Sequence, residues 1–295
     1  MSFNLEIEER RKLVENILKE YMPEANGMQK TVIDAMNYSV FAGGKRIRPI
    51  LMYETYKMFG GKSKVIEPFM AAIEMIHSYS LVHDDLPAMD NDEYRRGRKT
   101  THIVYGEAMG ILAGDGLLNY AFETAFKAFD IEPGNVNIPK ALGVLAKKAG
   151  IYGMIGGQTV DVELTGKKID KAQIDFIFDL KTCAMIESSM MIGAILAGAT
   201  TNEQKTIESS AKAVGMAFQI RDDVLDVIGD EKEIGKPILS DEKNDKTTYV
   251  TIEGIEKASL EVERLSKEAI NGIRSLVVKN EFLINLIEGL IYRNK

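Results

Sequence analysis

The sequence predicts an all-α protein, and three observations support this class. Apolar residues recur at spacings of three and four along most of the chain, as at Phe69, Ala72, Ile73 and Ile76. No segment combines a period of two with β-branched enrichment, so no strand is predicted. The composition does not shift along the 295 residues, and none of the breaks resembles a flexible linker. We therefore expect one helical domain over residues 1–295.

The predicted helices each place their apolar residues on one stripe, which a helix buries against its neighbours. In chain order they cover residues 7–21, 28–41, 68–82, 110–129, 139–155, 173–199, 203–227, 260–278 and 281–292. The breaks between them contain glycine, proline and polar residues that favour turns, at residues 60–63, 130–139, 165–170, 198–202 and 229–246.

The charge and cysteine content limit the function classes. A formal net charge of −7 argues against a general nucleic-acid binder, which needs a broad basic surface. The lone cysteine, Cys183, excludes an internal disulfide, fits a reducing compartment and is interpreted as a packing residue. The N-terminus is charged, without an apolar signal region, and the longest apolar run, residues 190–199, is shorter than the about 20 residues that a bilayer requires. We expect a cytoplasmic protein with no membrane span.

The segment LVHDDLPAMDND, residues 81–92, concentrates aspartates at the end of an apolar helix. Asp84 and Asp90 are six residues apart, so a regular helix would direct them differently. Pro87 removes a backbone donor and clashes with the preceding turn. We predict that the helix ends or bulges there and that Asp90 turns back toward Asp84.

A second acidic cluster follows another long apolar run. Asp222 and Asp226 lie one helical turn apart, with Asp223 beside them and Gln219 one turn earlier. Grouped carboxylates suit Mg²⁺, which binds one or two carboxylates together with substrate phosphates. The alternative is that either cluster is a solvated acidic helix end. A calcium loop of the EF-hand type is disfavoured, because its alternating acids and central glycine are absent.

Basic residues form clusters of their own. Residues 43–49, GGKRIRP, place Lys45, Arg46 and Arg48 after two glycines, which allow close backbone approach to a ligand. These cations offer contacts to phosphate, although a surface helix start is the alternative, and the spacing does not fit a nucleotide P-loop. Arg95 and Arg96 follow the first aspartate cluster, and the alternative is that they are simple counter-ions to Asp90 and Asp92. Together, the acidic and basic clusters indicate a diphosphate held through bridging Mg²⁺.

The ordered set of motifs resembles the polyprenyl synthases, the trans-isoprenyl diphosphate synthase family. The first aspartate motif, with Pro87-Ala88 as a two-residue insertion, is typical of the bacterial farnesyl-type members. The resemblance extends through most of the chain and comprises residues 43–49, 77–90, 95–97, 106–115, 157–161, 181–182, 219–226, 235–236 and 241–249.

The resemblance implies a helical bundle around a deep central cavity, with the two aspartate motifs facing each other across its mouth. Three Mg²⁺ ions would bridge them to an allylic diphosphate. The implied metal ligands are Asp84, Asp90 and Asp222, with Asp85, Asp223 and Asp226 as additional acids. The implied contacts to the allylic substrate are Arg95, Lys181, Thr182, Gln219 and Lys236. Those to isopentenyl diphosphate are Lys45, Arg48, His77 and Arg96.

The implied reaction is Mg²⁺-assisted ionisation, condensation and proton elimination, with Lys181, Thr182 and Gln219 placing partial charges near the carbocation. In this family the residues four and five before the first aspartate help set the product length, and here they are Ser80 and Tyr79. The bulk of Tyr79 favours a C15 product, farnesyl diphosphate. The resemblance also implies a homodimer.

Several alternatives stay open. A close one is the same chemistry ending at C20, geranylgeranyl diphosphate. A terpene cyclase also uses Mg²⁺ to ionise a diphosphate, but it needs no second substrate site. Lys45, Arg48 and His77 indicate such a second site and so argue against a cyclase. A non-catalytic regulatory subunit would not need both aspartate motifs, and here both are intact. A purely structural acidic protein would leave the basic motifs unexplained. Taken by itself, His77 would be interpreted as a buried packing histidine. Two positions depart from the family pattern: Lys99 replaces a usual proline and Leu239 a usual glycine.

Overall fold

The computed structural model describes residues 3–228 and 247–291, and almost all of its regular structure is helical. This confirms the predicted all-α class. The chain forms two compact units: the first extends to Tyr53 and resumes over Lys62–Leu142, and the second comprises Glu54–Gly61 and the chain from Gly143 onward. The single domain stays a prediction. Among the helices of the described residues, none has both the length and the apolar run needed to cross a bilayer.

The first unit contains a small antiparallel hairpin among its helices. A 3₁₀ turn, Lys64–Ile66, precedes the longest buried helix. In order, its elements are α1 (Phe3–Tyr21), α2 (Lys30–Val40), α3 (Ile47–Met58), α4 (Glu67–Asp84), β1 (Tyr94–Arg95), β2 (Arg98–Lys99), α5 (Thr101–Tyr105), α6 (Glu107–Phe126) and α7 (Ala128–Ile131). The last residues of α3 belong to the second unit.

Helix α4 is the centre of the first unit. Pro68 lies in its first turn, where the missing N–H would have no helical partner. Its side chains are buried on every side, including Phe69, Ile73 and Ile76, all fully inaccessible to solvent. A helix that is apolar all round belongs in a core, and α4 packs against α1, α2 and α6.

The second unit is entirely helical over its described residues. In order, it contains α8 (Ile138–Ala149, which begins in the first unit), α9 (Met154–Leu164), α10 (Lys171–Ile177), a π-helical turn (Phe178–Cys183), α11 (Ala184–Leu196), α12 (Thr201–Ile228), α13 (Tyr249–Glu253), α14 (Ile255–Ser275) and α15 (Glu281–Ile291). Helix α11 is buried along most of its length, and α12 packs against α11 and α14. Asp170 caps α10 through the N–H of Gln173 at 2.9 Å.

Some elements differ from the sequence prediction. Helix α3 is absent from the predicted set, because Ile50, Leu51 and Met52 are consecutive and all fully buried, so no apolar stripe appears. Helix α9 contains Gly156-Gly157, which a propensity argument places outside helices. The strands β1 and β2 have two residues each and are too short to show a period.

A buried ion-pair network joins three helices of the first unit. The Arg46 guanidinium donates to Glu74 of α4 and to Glu15 of α1, each at 2.7 Å, and to the carbonyl oxygen of Val40 at 2.6 Å. The Arg46 side chain is fully buried and that of Glu74 is 2% exposed. Burial alone would lower the pKa of Arg46, but Glu74 and Glu15 raise it by more than burial lowers it. The pKa of Arg46 is therefore raised overall. The network therefore keeps its charge and fixes the segment before α3.

We expect Arg46→Met to reduce the free energy of unfolding by about 3–5 kcal/mol, because Glu74 would stay buried without its partner. Urea unfolding measures this loss. The matched control is Lys45→Met, since Lys45 is the exposed neighbour, and its effect should stay within about 0.5 kcal/mol. Equal losses in the two variants would contradict a structural role specific to Arg46.

Candidate functional site

The first aspartate cluster follows the last turn of α4, which ends at Asp84. Beyond it, the N–H of Asp90 donates to the carbonyl oxygen of Asp84 at 2.8 Å, and the N–H of Asn91 donates to that of Leu86 at 3.1 Å. Asn91 takes a left-handed backbone conformation, with φ 54°, which asparagine tolerates better than most residues. The turn around Pro87 thus returns Asp90 to Asp84, as the sequence predicts.

Asp85 has a different environment from its neighbour Asp84. It is 4% exposed, and one of its carboxylate oxygens accepts from the Nε of Arg95 at 2.6 Å. Burial raises the pKa of Asp85 to about 6, and Arg95 opposes this rise. Arg95 also approaches Asp92 at 3.4 Å. Asp85 therefore orients Arg95, and only the more distant Asp92 contact matches the counter-ion alternative.

The hairpin positions the two neighbouring arginines. Tyr94 pairs with Lys99, and Arg95 pairs with Arg98. Arg96 and Gly97 form the turn with φ values of 54° and 73°, the left-handed pair typical of a two-residue hairpin. The departure at Lys99 is accommodated, because its side chain is exposed and its carbonyl oxygen accepts from the Tyr38 hydroxyl at 2.8 Å.

The two glycines of the basic motif bring Arg96 close to the backbone. The Arg96 guanidinium donates to the carbonyl oxygen of Gly43. A Cβ on Gly44 would lie 2.7 Å from Nη1 of Arg96, and Gly44 has a φ of 127°. Only glycine combines this conformation with this approach. The expectation that all three cations of the motif serve a phosphate is wrong for Arg46, whose donors are occupied by Glu15, Glu74 and Val40.

Positive charge converges on His77. Burial lowers the pKa of His77 well below its usual value, and Arg48, Arg96, Arg46 and Arg95 lower it further. The imidazole is therefore neutral near pH 7. The Nε of Arg48 is buried and has no hydrogen-bond partner among the described residues. A buried guanidinium nitrogen without a hydrogen-bond partner, beside a neutral histidine, is a site that favours an anion.

The two residues predicted to affect product length lie on α4. Tyr79 is 6% exposed, and burial, with a smaller contribution from Asp84, raises its pKa to about 12. Its phenol is therefore neutral and fills space one turn before the aspartates. The Ser80 hydroxyl donates to the carbonyl oxygen of His77 at 2.9 Å, so it is used within its own helix.

The second unit brings together three of its predicted site residues. Lys181 and Thr182 lie on the π-helical turn, a geometry common at functional sites. The Lys181 ammonium donates to a carboxylate oxygen of Asp161 at 2.5 Å. The Thr182 hydroxyl donates to the side-chain oxygen of Gln219, on α12, at 3.1 Å. This places one ammonium and a pair of oriented dipoles on facing elements of the unit.

Close packing against the π-helical turn depends on Gly157. A Cβ on this residue would lie 2.2 Å from the backbone nitrogen of Lys181 and 2.8 Å from the carbonyl carbon of Leu180. Since backbone cannot move away as a flexible side chain can, Gly157 fixes the spacing between α9 and the turn. No role was predicted for Asp161, although an acid one helical turn after a glycine pair was a usable signal.

The second aspartate cluster separates into different roles. Asp222 is partly accessible, whereas Asp223 and Asp226 are 4% and 2% exposed. A carboxylate oxygen of Asp223 accepts the N–H of Tyr249 at 2.7 Å and so positions the start of α13. Asp222 is therefore the member most accessible to a ligand. Lys236 and the departure at Leu239 lie outside the described residues.

The carboxylates of the first motif fit a hard divalent cation. Asp84 and Asp90 are joined by one backbone hydrogen bond and offer oxygen donors, the ligands that Mg²⁺ prefers. Within residues 3–228 and 247–291, no group of three or more histidine, cysteine, aspartate or glutamate residues is arranged to hold a metal.

The fold and these clusters define a class, which comparison with known proteins establishes. The chain belongs to the polyprenyl synthetase family, whose model matches residues 29–282. It is a trans-prenyltransferase with the all-helical isoprenyl synthase fold, and the family is magnesium-dependent.

Particular relatives share most of the chain's length. A farnesyl diphosphate synthase from Geobacillus stearothermophilus is 43% identical, with 90% of each chain covered. A geranylgeranyl diphosphate synthase from Cyanophora paradoxa is 41% identical, covering 97% of this chain and 95% of the relative. A crystal structure of a Helicobacter pylori geranyltransferase, complexed with magnesium and isoprenyl diphosphate, superposes with a TM-score of 0.83 at 28% identity, covering 99% and 97% of the two chains.

We expect Gly157→Ala to reduce the free energy of unfolding by about 1–3 kcal/mol, because the added methyl group overpacks the π-helical turn. The matched control is Gly143→Ala in α8, where a Cβ meets nothing within 4 Å. That control should be neutral or stabilising by up to about 1 kcal/mol. Urea unfolding of both variants tests the contact, and indistinguishable stabilities would contradict it.

Proposed function

We propose that this protein condenses isopentenyl diphosphate with dimethylallyl diphosphate, and then with geranyl diphosphate, to give farnesyl diphosphate. The observation that carries the proposal is the convergence of Arg48 and Arg96 on a neutral His77, with the Arg48 Nε buried and unpartnered among the described residues. Such a site is suited to a diphosphate. The relatives named farnesyl diphosphate synthase support the same conclusion.

The isopentenyl diphosphate would be bound by the basic residues of the first unit. Lys45 is exposed and supplies an ammonium, and Arg48 supplies its unpartnered Nε. Arg96 contributes the guanidinium that Gly43 and Gly44 allow to approach. His77, neutral because burial and the arginines lower its pKa, adds a hydrogen bond without adding repulsion.

The allylic diphosphate would be held by Arg95, which Asp85 orients, and by Lys181 and Lys236. Mg²⁺, as three ions on Asp84, Asp90 and Asp222, would neutralise the diphosphate and make it a better leaving group. Lys181 stabilises the negative charge that develops on the diphosphate as it leaves. Its ammonium is already positioned by the ion pair with Asp161, so it is preorganised for this role.

The remaining steps require little from the protein beyond polarity and exclusion of water. The Thr182 and Gln219 side chains present oriented dipoles for an allylic carbocation. The double bond of isopentenyl diphosphate attacks this cation. The released diphosphate then accepts the proton that the condensed isopentenyl unit loses. Cys183 is no nucleophile here, because burial raises its thiol pKa well above the ordinary value. This supports its interpretation as a packing residue.

We also propose a cytoplasmic homodimer. The lone Cys183 fits a reducing compartment. In the first unit, Ile103 and Val104 of α5 and Ile111 and Leu112 of α6 are each at least 40% exposed, an apolar surface suited to a second copy of the chain. Light scattering in solution that gives the mass of a single chain would reject the dimer.

Purified protein with Mg²⁺, dimethylallyl diphosphate and isopentenyl diphosphate should yield farnesyl diphosphate, and EDTA should abolish turnover. Asp84→Asn should lower kcat by at least about 100-fold, since removal of one charge-stabilising group commonly has this effect. Asp130→Asn is the control, because Asp130 is an exposed acid of α7. Chromatography of the dephosphorylated product identifies the chain length. Hydrocarbon formation without isopentenyl diphosphate would instead indicate a cyclase.

Tyr79→Ala should lengthen the product from C15 toward C20, because the buried phenol of Tyr79 is removed from below the aspartates. Product alcohols from the variant and the parent enzyme are compared at equal conversion. Gly143→Ala in α8 is the control, because a Cβ on Gly143 meets nothing within 4 Å. A Tyr79→Ala enzyme that still stops at C15 would show that another residue limits the product.

A further inference from the structure

His83 lies on α4 immediately before the first aspartate, and its ring is fixed against α6. Its Nε2 lies 3.0 Å from the carbonyl oxygen of Ile111, so this ring nitrogen donates a hydrogen bond to that oxygen. The same nitrogen lies 3.8 Å from a carboxylate oxygen of Asp115, which is exposed. The hydrogen bond to Ile111 thus holds the imidazole on the surface of α6, with the Asp115 carboxylate nearby.

Gly114 provides the space that the imidazole occupies. A Cβ on Gly114 would lie 2.0 Å from Nε2 and 2.2 Å from Cδ2 of His83. Gly114 is buried within α6, and its backbone is not in the left-handed region. A glycine in a helix interior is less favourable than alanine by roughly 1 kcal/mol, so turn geometry does not account for it. The ring of His83 does.

The other face of this arrangement is Tyr79, one helical turn before His83. The two rings meet edge to face, with centroids 5.8 Å apart and planes inclined at 87°. This is the favoured geometry for a pair of aromatic rings. Because His83 is held by Ile111 and accommodated by Gly114, the Tyr79 ring rests on a partner that cannot rotate away.

We propose that product length is set by Tyr79, His83 and Gly114 as one unit, with His83 as a positioning residue. This rests on the proposed function and extends it to two residues that do not contact the growing chain. The volume of Tyr79 limits elongation only while its ring is held in place. His83 supplies the support, and Gly114 allows His83 to occupy its position.

The two supporting residues should shift the product in opposite directions. His83→Ala removes the support, so Tyr79 can move toward α6 and the longer product increases. We expect the C20 to C15 ratio to rise roughly 2- to 10-fold, the range that one edge-to-face contact supports. Gly114→Ala displaces the His83 ring toward Tyr79 and into the path of the chain, so geranyl diphosphate accumulates as a larger share of the product.

A double-mutant cycle gives the sharpest test. In His83→Ala/Gly114→Ala the clashing ring is absent, so the product ratio should equal that of His83→Ala alone. The kinetic readout is kcat/KM for farnesyl diphosphate as the allylic substrate, which should rise in His83→Ala, while kcat/KM for geranyl diphosphate changes little. Gly143→Ala is the matched control and should keep the parent product ratio, because its Cβ meets nothing.

The outcomes separate this inference from the proposed function. If the parent enzyme fails to extend geranyl diphosphate, the proposed function itself is wrong. If the parent extends it but both single variants keep the parent ratio, or if the two substitutions act additively, the coupled unit is wrong. Thermal unfolding accompanies each variant, since a shift in product ratio without a matching loss of stability distinguishes positioning from a general packing defect.

Discussion

The buried pairing of Arg46 with Glu74 and Glu15 is the interaction on which the first unit depends. A fully buried guanidinium is tolerable only when its donors are satisfied, and here two carboxylates and the Val40 carbonyl oxygen satisfy them. The network ties α1, α2 and α4 to the segment that leads into α3. That segment carries Lys45 and Arg48, so the paired and buried Arg46 determines where these two neighbours can meet an anion.

A second constraint is the cluster of residues with left-handed backbone conformations around this site. Arg46, Asn91 and Arg96 all have φ values of 53° or 54°, in a region that non-glycine residues rarely adopt. Each conformation directs a group that the site uses. Arg46 reaches its buried partners, Asn91 closes the turn that returns Asp90 to Asp84, and Arg96 places its guanidinium against Gly44. Strain of this kind persists only where surrounding contacts over-determine it, and here the ion pairs and close approaches provide those contacts.

The sequence predicted what depends on local chemistry. The turn from Asp84 to Asp90 follows from Pro87, and the presence of α4 follows from its apolar spacings of three and four. The pairing of Lys181 with Asp161 and of Arg46 with Glu74 could not be read in advance, because the partners are 20 and 28 residues apart and are selected by packing. Helix α3 was not predicted because its buried Ile50, Leu51 and Met52 are consecutive and so mark no helical period. The edge-to-face contact of Tyr79 and His83 was within reach, since they lie four residues apart, but the role of Gly114 required the neighbouring helix.

The π-helical turn at Phe178–Cys183 has an evolutionary consequence. Each of its hydrogen bonds spans one more residue than an α-helical bond, so the turn is equivalent to a single-residue insertion in a regular helix. Removing one residue there would restore a regular helix and rotate everything on one side of the deletion by about 100° relative to the other. Either Lys181 and Thr182 or the buried face of α11 would then be misdirected. The number of residues in this turn is therefore constrained from both sides.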